Sequence, residues 1–241
     1  MSKNVFDIKG ELLSNAYPGR GIIFGRTLDN KQNVVAYFIM GRSENSRNRV
    51  FVETEDGIRT EAYDPSKMTD PSLIIYHPVR QCGGKLVVTN GDQTDTICDY
   101  LREGKSYIDA LRTREFEPDA PNYTSRISGV INEDGSYSLS ILKNFTSDRT
   151  SNKRFFYEYD KPVPGLGHFI HTYQCDGDPL PPFRGEPKCI RIEKPIKQFT
   201  EMLWTSMNEQ NKVALFVRYI DLATGAYWQE IRNKHEEGKN A

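Results

Sequence analysis

Long apolar runs are absent from this sequence of 241 residues. No stretch approaches the roughly 20 apolar residues that span a bilayer, and the first residues lack the apolar segment of a signal peptide. An excess of charge of one sign is absent too, because 32 basic and 33 acidic side chains leave a net charge of -1. We therefore expect a soluble, cytoplasmic protein whose partner is neither a membrane nor a nucleic-acid polymer, and any anionic ligand must be bound by a local cluster.

Cysteine and histidine are scarce, with four residues of each. The cysteines are far apart and have no CxxC spacing, and they are Cys82, Cys98, Cys175 and Cys189. This pattern predicts reduced thiols rather than a zinc site or a disulfide framework. His168 and His171 are three residues apart, but their glycine and β-branched neighbours favour a strand or loop over a metal-binding helix. We expect no metal, and the lining of a polar pocket is the stronger interpretation of this pair.

Short apolar runs between turn residues predict a mixed architecture. Strands are expected at residues 21–26, 34–40, 49–53, 73–76, 85–89, 126–132, 136–143, 213–220 and 226–231. Helices are expected at residues 94–101, from about 106 to 117, and 195–207. Residues 162–187, rich in proline and glycine, are predicted to form a long ordered loop or insertion. The sequence thus predicts one α+β domain over residues 1–241 with a largely antiparallel sheet core.

The first candidate site is a loop after an apolar strand, where Arg42, Arg47 and Arg49 alternate with small polar residues such as Ser43. Guanidinium forks and short hydroxyl groups can converge on the anionic oxygens of a phosphate monoester. A solvated basic loop explains the same pattern, and the pattern alone slightly favours that reading.

The second candidate site is a strand end that turns into a helix. It runs from Thr89 to Thr96 and includes Asn90, Gly91, Asp92, Gln93, Thr94 and Asp95. The start of a helix offers unpaired N–H groups and the positive end of its dipole, which suit a phosphate or a polar heterocycle. The alternative is that Asp92 or Thr94 only caps the helix.

The third candidate site combines a phenol, a carboxylate and a guanidinium at the ends of predicted elements. Tyr76 ends an apolar run, Glu117 follows the second helix, and Arg126 begins the next strand. Such groups can transfer protons and stabilise charge. The sequence does not bring them together, and each one alone is more often a structural or surface residue.

Taken in order, these blocks resemble the archaeal-type IMP cyclohydrolase family. The resemblance covers about residues 17–132 and rests on Tyr17 to Arg26, Arg42 to Arg47, Tyr76, Asn90 to Ile97, Phe116-Glu117 and Thr124 to Ile127. It implies a four-layer αββα sandwich similar to N-terminal nucleophile hydrolases but without their nucleophile. Ser2, the one candidate after removal of Met1, lies well before the first predicted strand. The sequence departs from the family at His77-Pro78 and in the longer segment 162–187.

The resemblance also implies an activity, namely closure of the ring of 5-formamidoimidazole-4-carboxamide ribonucleotide to give IMP and water, without a cofactor. The partner would be this small purine-precursor nucleotide. Arg47 and Tyr76 would lie near the reacting formyl group, and Glu117 would transfer protons. The implied substrate-binding residues are Arg20, Arg42, Ser43, Asn90, Gly91, Asp92, Gln93, Thr94, Asp95 and Arg126.

Three alternatives remain at this stage. An amidohydrolase of the N-terminal nucleophile type would need a free nucleophile at a processed strand start, which the chain does not present. A catalytically silent nucleotide-binding protein of the same fold could keep the arginines for an anionic ligand. A single-stranded RNA binder is disfavoured by the near-zero net charge. The oligomeric state, including a homo-oligomer, stays open.

Overall fold

The computed structural model describes residues 5–144 and 151–237. The strands in chain order are β1 (Arg20–Arg26), β2 (Gln32–Met40), β3 (Arg49–Thr54), β4 (Gly57–Ala62), β5 (Val79–Cys82), β6 (Lys85–Thr89), β7 (Arg126–Ile131), β8 (Tyr137–Asn144), β9 (Asn152–Tyr159), β10 (Leu166–His171), β11 (Lys188–Arg191), β12 (Lys212–Asp221) and β13 (Tyr227–Asn233). The helices are α1 (Ile8–Ser14), α2 (Glu44–Arg47), α3 (Gln93–Arg102), α4 (Tyr107–Arg112) and α5 (Ile196–Ser206). In this part of the chain no helix is long and apolar enough to cross a membrane.

The strands form two sheets. The first sheet has six strands in the order β11-β10-β1-β2-β12-β13, and the second has seven in the order β3-β4-β5-β6-β7-β8-β9. All neighbouring strands pair antiparallel. The second sheet follows the chain as a meander, whereas the first joins the N-terminal hairpin to the C-terminal one.

Three apolar cores define four layers. Leu12 of α1 and Phe199 of α5 pack against one face of the first sheet. The other face packs on the second sheet, where Phe24 and Phe51 share a core. Helices α3 and α4 cover the outer face of the second sheet, with Leu111 among the buried side chains. The order helix, sheet, sheet, helix confirms the predicted α+β sandwich, while the similarity to N-terminal nucleophile hydrolases stays a prediction.

Burial on both faces explains why the first hairpin was easy to predict. Strand β1 is buried over its whole length, and β2 is buried from Asn33 onward. In a strand successive side chains point to opposite faces, so Ile23 joins the helix-side core and Phe24 the inter-sheet core. A strand with two covered faces reads as a continuous apolar run.

Two sequence predictions for individual elements are wrong. Residues 73–76 form turns rather than a strand, and Tyr76 instead meets Thr60, whose N–H donates to the Tyr76 carbonyl at 2.9 Å. Helix α4 ends at Arg112 rather than near residue 117. The backbone N–H of Glu117 donates to Thr124 O at 2.9 Å, so this segment closes a loop and does not continue the helix.

The predicted loop at 162–187 contains β10, which lies between β1 and β11, so the loop prediction is wrong for residues 166–171 near its start. Phe169 and Ile170 supply the apolar side chains of this strand. Gly167 is needed there, because a Cβ at this position would lie 2.7 Å from the carbonyl oxygen of Phe24. The glycine that reads as a loop signal thus permits close pairing with β1.

Cys82 of β5 and Cys98 of α3 form a disulfide, with Cα atoms 5.4 Å apart. The prediction of reduced thiols is therefore wrong for this pair, although Cys175 and Cys189 are free. The pairing depends on α3 folding back over β5 and leaves no local motif in the sequence.

Candidate active site

Strand β6 ends where the chain turns into α3, and the antiparallel strand β7 begins beside it, with Thr89 paired to Ser128. The buried side chain of Asn90 fixes this turn. Its Oδ1 accepts from Ile127 N at 2.8 Å and from Gln93 Nε2 at 2.9 Å, and its Nδ2 donates to Ser125 O at 2.9 Å. One buried amide thus ties the start of α3 to the start of β7.

Gly91 lies beneath two charged side chains. A Cβ at this position would be 2.6 Å from Arg126 Nη1 and 3.3 Å from Glu117 Oε1. A glycine here allows the backbone to approach both groups closely. The turn thereby brings together a carboxylate and a guanidinium that are nine residues apart in sequence.

Glu117 is only 2% exposed. Its Oε1 accepts a hydrogen bond from Asn90 Nδ2 at 3.4 Å, and its carboxylate forms no ion pair among the residues that the structure describes. Burial raises the pKa of Glu117 to about 7, since loss of water around the carboxylate outweighs the opposing charges of Arg20 and Arg126. A carboxyl group that is half ionised near neutrality can both accept and donate a proton.

Three buried arginines surround this region: Arg20 of β1, Arg49 of β3 and Arg126 of β7. Each has one buried N–H nitrogen that finds no hydrogen-bond partner within residues 5–144 and 151–237, namely Nε of Arg20, Nη1 of Arg49 and Nε of Arg126. Burial, and next the charge of Arg20, lower the pKa of Arg49. Unpaired buried donors are costly, and an excess of guanidinium groups suits an anionic, acceptor-rich ligand.

The charge interactions of Arg20 place it near the other candidate groups. Burial disfavours its charged form, yet Tyr173, Glu117 and Tyr76 together raise the pKa of Arg20 well above its ordinary value. In the described part of the chain Arg20 and Glu117 do not form an ion pair with each other or with other groups. The opposite charges of Arg20 and Glu117 thus act on each other without a direct ion pair.

Tyrosines border the same region. The hydroxyl oxygens of Tyr37 and Tyr76 are 2.8 Å apart, and both side chains are buried. Tyr17 and Tyr173 stack with ring centroids 5.8 Å apart. The region thus contains phenol, carboxylate and guanidinium groups, and the roles predicted for Tyr76, Glu117 and Arg126 stay predictions.

The remaining residues of the strand-to-helix turn support this arrangement. Gln93 Oε1 and Asp92 Oδ1 each accept from Arg126 Nη1 at 2.7 Å. Asp92 occupies the N-cap position of α3 but makes no side-chain capping bond, so the simple capping interpretation is wrong for it. Thr94 Oγ1 lies 2.6 Å from Thr89 Oγ1 and 3.1 Å from the carbonyl oxygen of Gly91. The Thr94 hydroxyl thus stabilises the turn between β6 and α3.

Three residues predicted to bind the substrate make contacts away from Glu117. Arg42 Nη1 pairs with Asp176 Oδ1 at 2.7 Å, and Ser43 caps the short helix α2. Asp95 pairs with Arg80 at 2.8 Å. No contact within the described ranges joins these three side chains to Glu117, and their roles toward a substrate stay predictions.

Arg47, the predicted catalytic arginine, donates from Nε to Gly41 O at 2.9 Å and from Nη2 to Asn211 Oδ1 at 3.0 Å. Arg49, two residues later, is instead the guanidinium that shares the surroundings of Tyr76 and Tyr37. The sequence pattern of the basic loop predicted that an arginine of this loop belongs to the site. The pattern did not distinguish Arg49 from Arg42 and Arg47. The catalytic role of Arg47 stays a prediction.

Sequence reasoning also missed Tyr173. It follows β10, and its neighbour Thr172 donates from its backbone N–H to Arg20 O at 3.0 Å. Only the pairing of β1 with β10, which joins residues about 150 positions apart, brings Tyr173 beside Arg20. No local signal in the sequence reveals this contact.

The two histidines of β10 have structural contacts. His168 Nδ1 lies 2.7 Å from the hydroxyl of Tyr137, and burial lowers the pKa of His168 to about 4. His171 Nδ1 lies 2.7 Å from Tyr173 O, and burial lowers the pKa of His171 to about 3. Both side chains are therefore neutral at pH 7. Among the described residues no cluster of three histidine, cysteine or acidic side chains could hold a metal ion.

A groove of about 360 Å³ between the sheets lies at the opposite ends of the same strands. Leu86 and Ile131 line it, whereas Thr89 and Arg126 mark the candidate site. Among the lining residues that the structure describes, one is cationic, Arg218, and four are acidic. The acidic residues are Glu55, Asp56, Glu133 and Asp221. This excess of negative charge does not suit an anionic ligand, so the groove is a poorer candidate for a nucleotide site than the region around Glu117.

The sequence is similar to known proteins over most of its length. Residues 17–225 match the family model described as IMP cyclohydrolase-like protein. IMP cyclohydrolase of Methanococcus aeolicus is 30% identical over 166 residues, which cover 66% of this chain and 75% of that protein. IMP cyclohydrolases of Methanopyrus kandleri, 28% identical over 65% of this chain and 75% of the relative, and Halobacterium salinarum, 29% identical over 53% and 63%, are also similar. The chain belongs to the IMP cyclohydrolase-like protein family.

Proposed function

We propose that this protein is an IMP cyclohydrolase of purine biosynthesis, which closes the ring of 5-formamidoimidazole-4-carboxamide ribonucleotide and releases water. One observation carries the proposal: Glu117 is a buried carboxyl group without an ion pair in the described part of the chain, burial raises its pKa to about 7, and the charges of Arg20 and Arg126 act on it. The family and the names of the relatives support the same reaction.

The reaction consists of an addition and a dehydration. The carboxamide nitrogen bonds to the formyl carbon and loses one proton, and the formyl oxygen gains a proton and becomes a hydroxyl group. That hydroxyl then leaves as water together with a proton that originates from the formamide nitrogen. An amide nitrogen is a weak nucleophile, so the site must hold it against the formyl carbon and remove its proton.

Glu117 suits both proton transfers. As a carboxylate it accepts the proton of the carboxamide nitrogen and passes it to the formyl oxygen, which becomes the hydroxyl group. It then accepts the proton of the formamide nitrogen and delivers it to the departing hydroxyl group, which leaves as water. A pKa near 7 makes both forms accessible at neutral pH. Because the carboxyl group is buried, bulk water does not compete for these protons.

The buried arginines supply positive charge for the substrate. Arg20 interacts with both Glu117 and Tyr76, so we assign it to the oxygen that becomes negative as the carbon–nitrogen bond forms. Arg49 and Arg126 retain unpaired N–H groups within the described ranges, which suit further acceptor oxygens of the nucleotide. We also infer that no metal or organic cofactor takes part, because both steps need only proton transfer and charge stabilisation.

The test is an absorbance assay of IMP formation by the purified protein, with and without a chelator and without folate. Rapid formation of IMP that the chelator does not change is the expected result. Tight binding of IMP without turnover above the uncatalysed background would instead identify a silent nucleotide-binding relative. A chelator-sensitive rate would contradict the inference that no metal takes part.

A further inference from the structure

Arg126 is held by two acceptors at the start of α3. Its Nη1 donates to Asp92 Oδ1 and to Gln93 Oε1, each at 2.7 Å. Asp92 uses its other oxygen, Oδ2, to accept from Nη2 of Arg114. The two oxygens of one carboxylate therefore bind two guanidinium groups, and the carboxylate is fixed between them.

Glu117 lies close to the same guanidinium nitrogen. A Cβ on Gly91 would be 2.6 Å from Arg126 Nη1 and 3.3 Å from Glu117 Oε1, so the two atoms lie within a few ångströms of each other. Both side chains are buried, with 5% of Arg126 and 2% of Glu117 exposed. Buried opposite charges attract strongly because little water screens them, and buried ions in proteins are usually paired. Even so, among the described residues Arg126 pairs with Asp92 and not with Glu117.

Counting hydrogens explains why this pair does not form. Nη1 of a guanidinium carries two hydrogens. One is used toward Asp92 and the other toward Gln93, so this nitrogen has no hydrogen left for Glu117. The amide of Gln93 is itself fixed, because its Nε2 donates to Asn90 Oδ1 at 2.9 Å and to Ile127 O at 3.2 Å. Asp92 is the charged acceptor of the two, and it is the one that competes with Glu117 for the guanidinium.

We propose that Asp92 restrains Arg126, and so keeps the Glu117 carboxyl group free of an ion pair and available for proton transfer. The inference rests on the proposed function, since a free carboxyl group matters for turnover only if Glu117 transfers the protons of ring closure. Asp92 is a positioning residue, because it acts through Arg126 and not on the reacting atoms. Nε of Arg126, which is buried and has no partner within the described ranges, stays available for the nucleotide.

Loss of the Asp92 carboxylate should release one hydrogen of Arg126 toward Glu117. Asp92→Ala removes both oxygens, and the freed guanidinium then pairs with the Glu117 carboxylate. An adjacent cation favours the ionised form of an acid, so we expect the pKa of Glu117 to fall by about 1 to 3 pH units. The matched control is Asp99→Ala, because Asp99 is an exposed carboxylate of the same helix that pairs with Arg102. This control should leave the pKa of Glu117 unchanged.

The charge of Asp92 also acts on Glu117 directly, so the test must separate two effects. The charged groups that act on Glu117 are Arg20 of β1, Arg126 of β7, Asp119 of its own loop and Asp92. Removing a nearby negative charge favours ionisation of Glu117, but this direct effect does not need Arg126. Release of the guanidinium does need it. Asp92→Ala should therefore lower the pKa of Glu117 in the wild-type background, and by much less in an Arg126→Gln background.

The decisive measurement is an NMR titration of the isotope-labelled glutamate carboxyl groups, in which Glu117 is assigned by the loss of its signal in Glu117→Gln. A fall in the pKa of Glu117 that largely disappears with Arg126→Gln is the expected result. An equal fall in both backgrounds, or no fall in Asp92→Ala, would overturn the inference. Thermal unfolding of each variant shows whether the fold is kept. If Arg126→Gln does not fold, a crystal structure of Asp92→Ala decides the question, because the inference requires an ion pair between Arg126 and Glu117 there.

Turnover gives a second readout. Asp92→Ala should lower kcat for IMP formation at pH 7 by about 10- to 100-fold, because an ion-paired carboxylate is a weaker base and is seldom protonated. The pH profile of kcat/KM should move to lower pH together with the pKa of Glu117. A lower rate with an unmoved profile would show a merely structural role for Asp92 and contradict the inference. Asp99→Ala should stay within about threefold of the wild type. A wild type that forms no IMP refutes the proposed function, whereas the NMR titration still decides whether Asp92 restrains Arg126.

Discussion

Replacing Glu117 by glutamine should stabilise the protein at alkaline pH. Burial raises the pKa of Glu117 from its ordinary value of 4.5 to about 7 in the folded state. At pH values below 4.5 the carboxyl group is protonated in both states, so it contributes no penalty. As the pH rises through 7, the folded protein must hold a buried carboxylate that the unfolded chain leaves in water. Stability is therefore lost between about pH 4.5 and 7, as expected for an acid with a raised pKa.

The size of the stability loss follows from the shift of the pKa of Glu117. One pKa unit corresponds to about 1.4 kcal/mol, so the penalty is about 3 kcal/mol above pH 7. Glutamine has nearly the same shape and stays neutral at every pH. We expect Glu117→Gln to raise the free energy of unfolding by about 2 to 3 kcal/mol at pH 8, and by less than about 1 kcal/mol at pH 5.

Urea unfolding at pH 5 and pH 8 measures this difference. Glu115→Gln is the matched control, because Glu115 is exposed two residues away and should give the same small effect at both pH values. A Glu117→Gln variant that is less stable than the wild type at pH 8, or whose advantage is equal at both pH values, would refute the reasoning about burial.

Two further predictions concern the activity. Since Glu117 must be ionised to accept the first proton, kcat/KM should rise with pH through an apparent pKa near 7, and a flat profile between pH 5.5 and 8 would contradict this. Gly91→Ala should lower kcat/KM by at least about tenfold and cost about 1 to 3 kcal/mol of stability, because its Cβ would displace Arg126 Nη1. Its control is Gly10→Ala on α1, where the three atoms nearest to the added Cβ belong to the side chain of Asp7. Equal activity loss in both variants would refute the steric argument.

Much of the sandwich could be predicted from local patterns. Strands buried on both faces, such as β1 and β2, and the amphipathic helix α5 have strong periodicity. Strands β4, β5 and β9 were missed because they are short or half-exposed and carry many polar side chains. The helix α1 was missed as well, since only Ile8 and Leu12 of its seven residues are buried.

The candidate site was predictable where the chemistry is local. Asn90, Gly91 and Gln93 follow one another in a turn between a strand and a helix, and the structure brings Tyr76 and Glu117 to the same region. The positions of Arg49 and Tyr173 near the site depend on long-range pairing of strands. The periodicity of apolar residues in the sequence does not predict such contacts. Arg42 and Arg47 were predicted from the basic loop and from the family resemblance. In the structure Arg42 pairs with Asp176 and Arg47 donates to Asn211, and their roles toward a substrate stay predictions.

Turnover of the wild type and of Glu117→Gln, measured side by side as IMP formation at pH 8, tests the central claim most directly. The account predicts rapid IMP formation by the wild type and a loss of about 100-fold or more in the variant, with the affinity for IMP nearly unchanged. Glu115→Gln should turn over at the wild-type rate. Equal rates for the wild type and Glu117→Gln, or a wild type no faster than the uncatalysed reaction, would contradict the account.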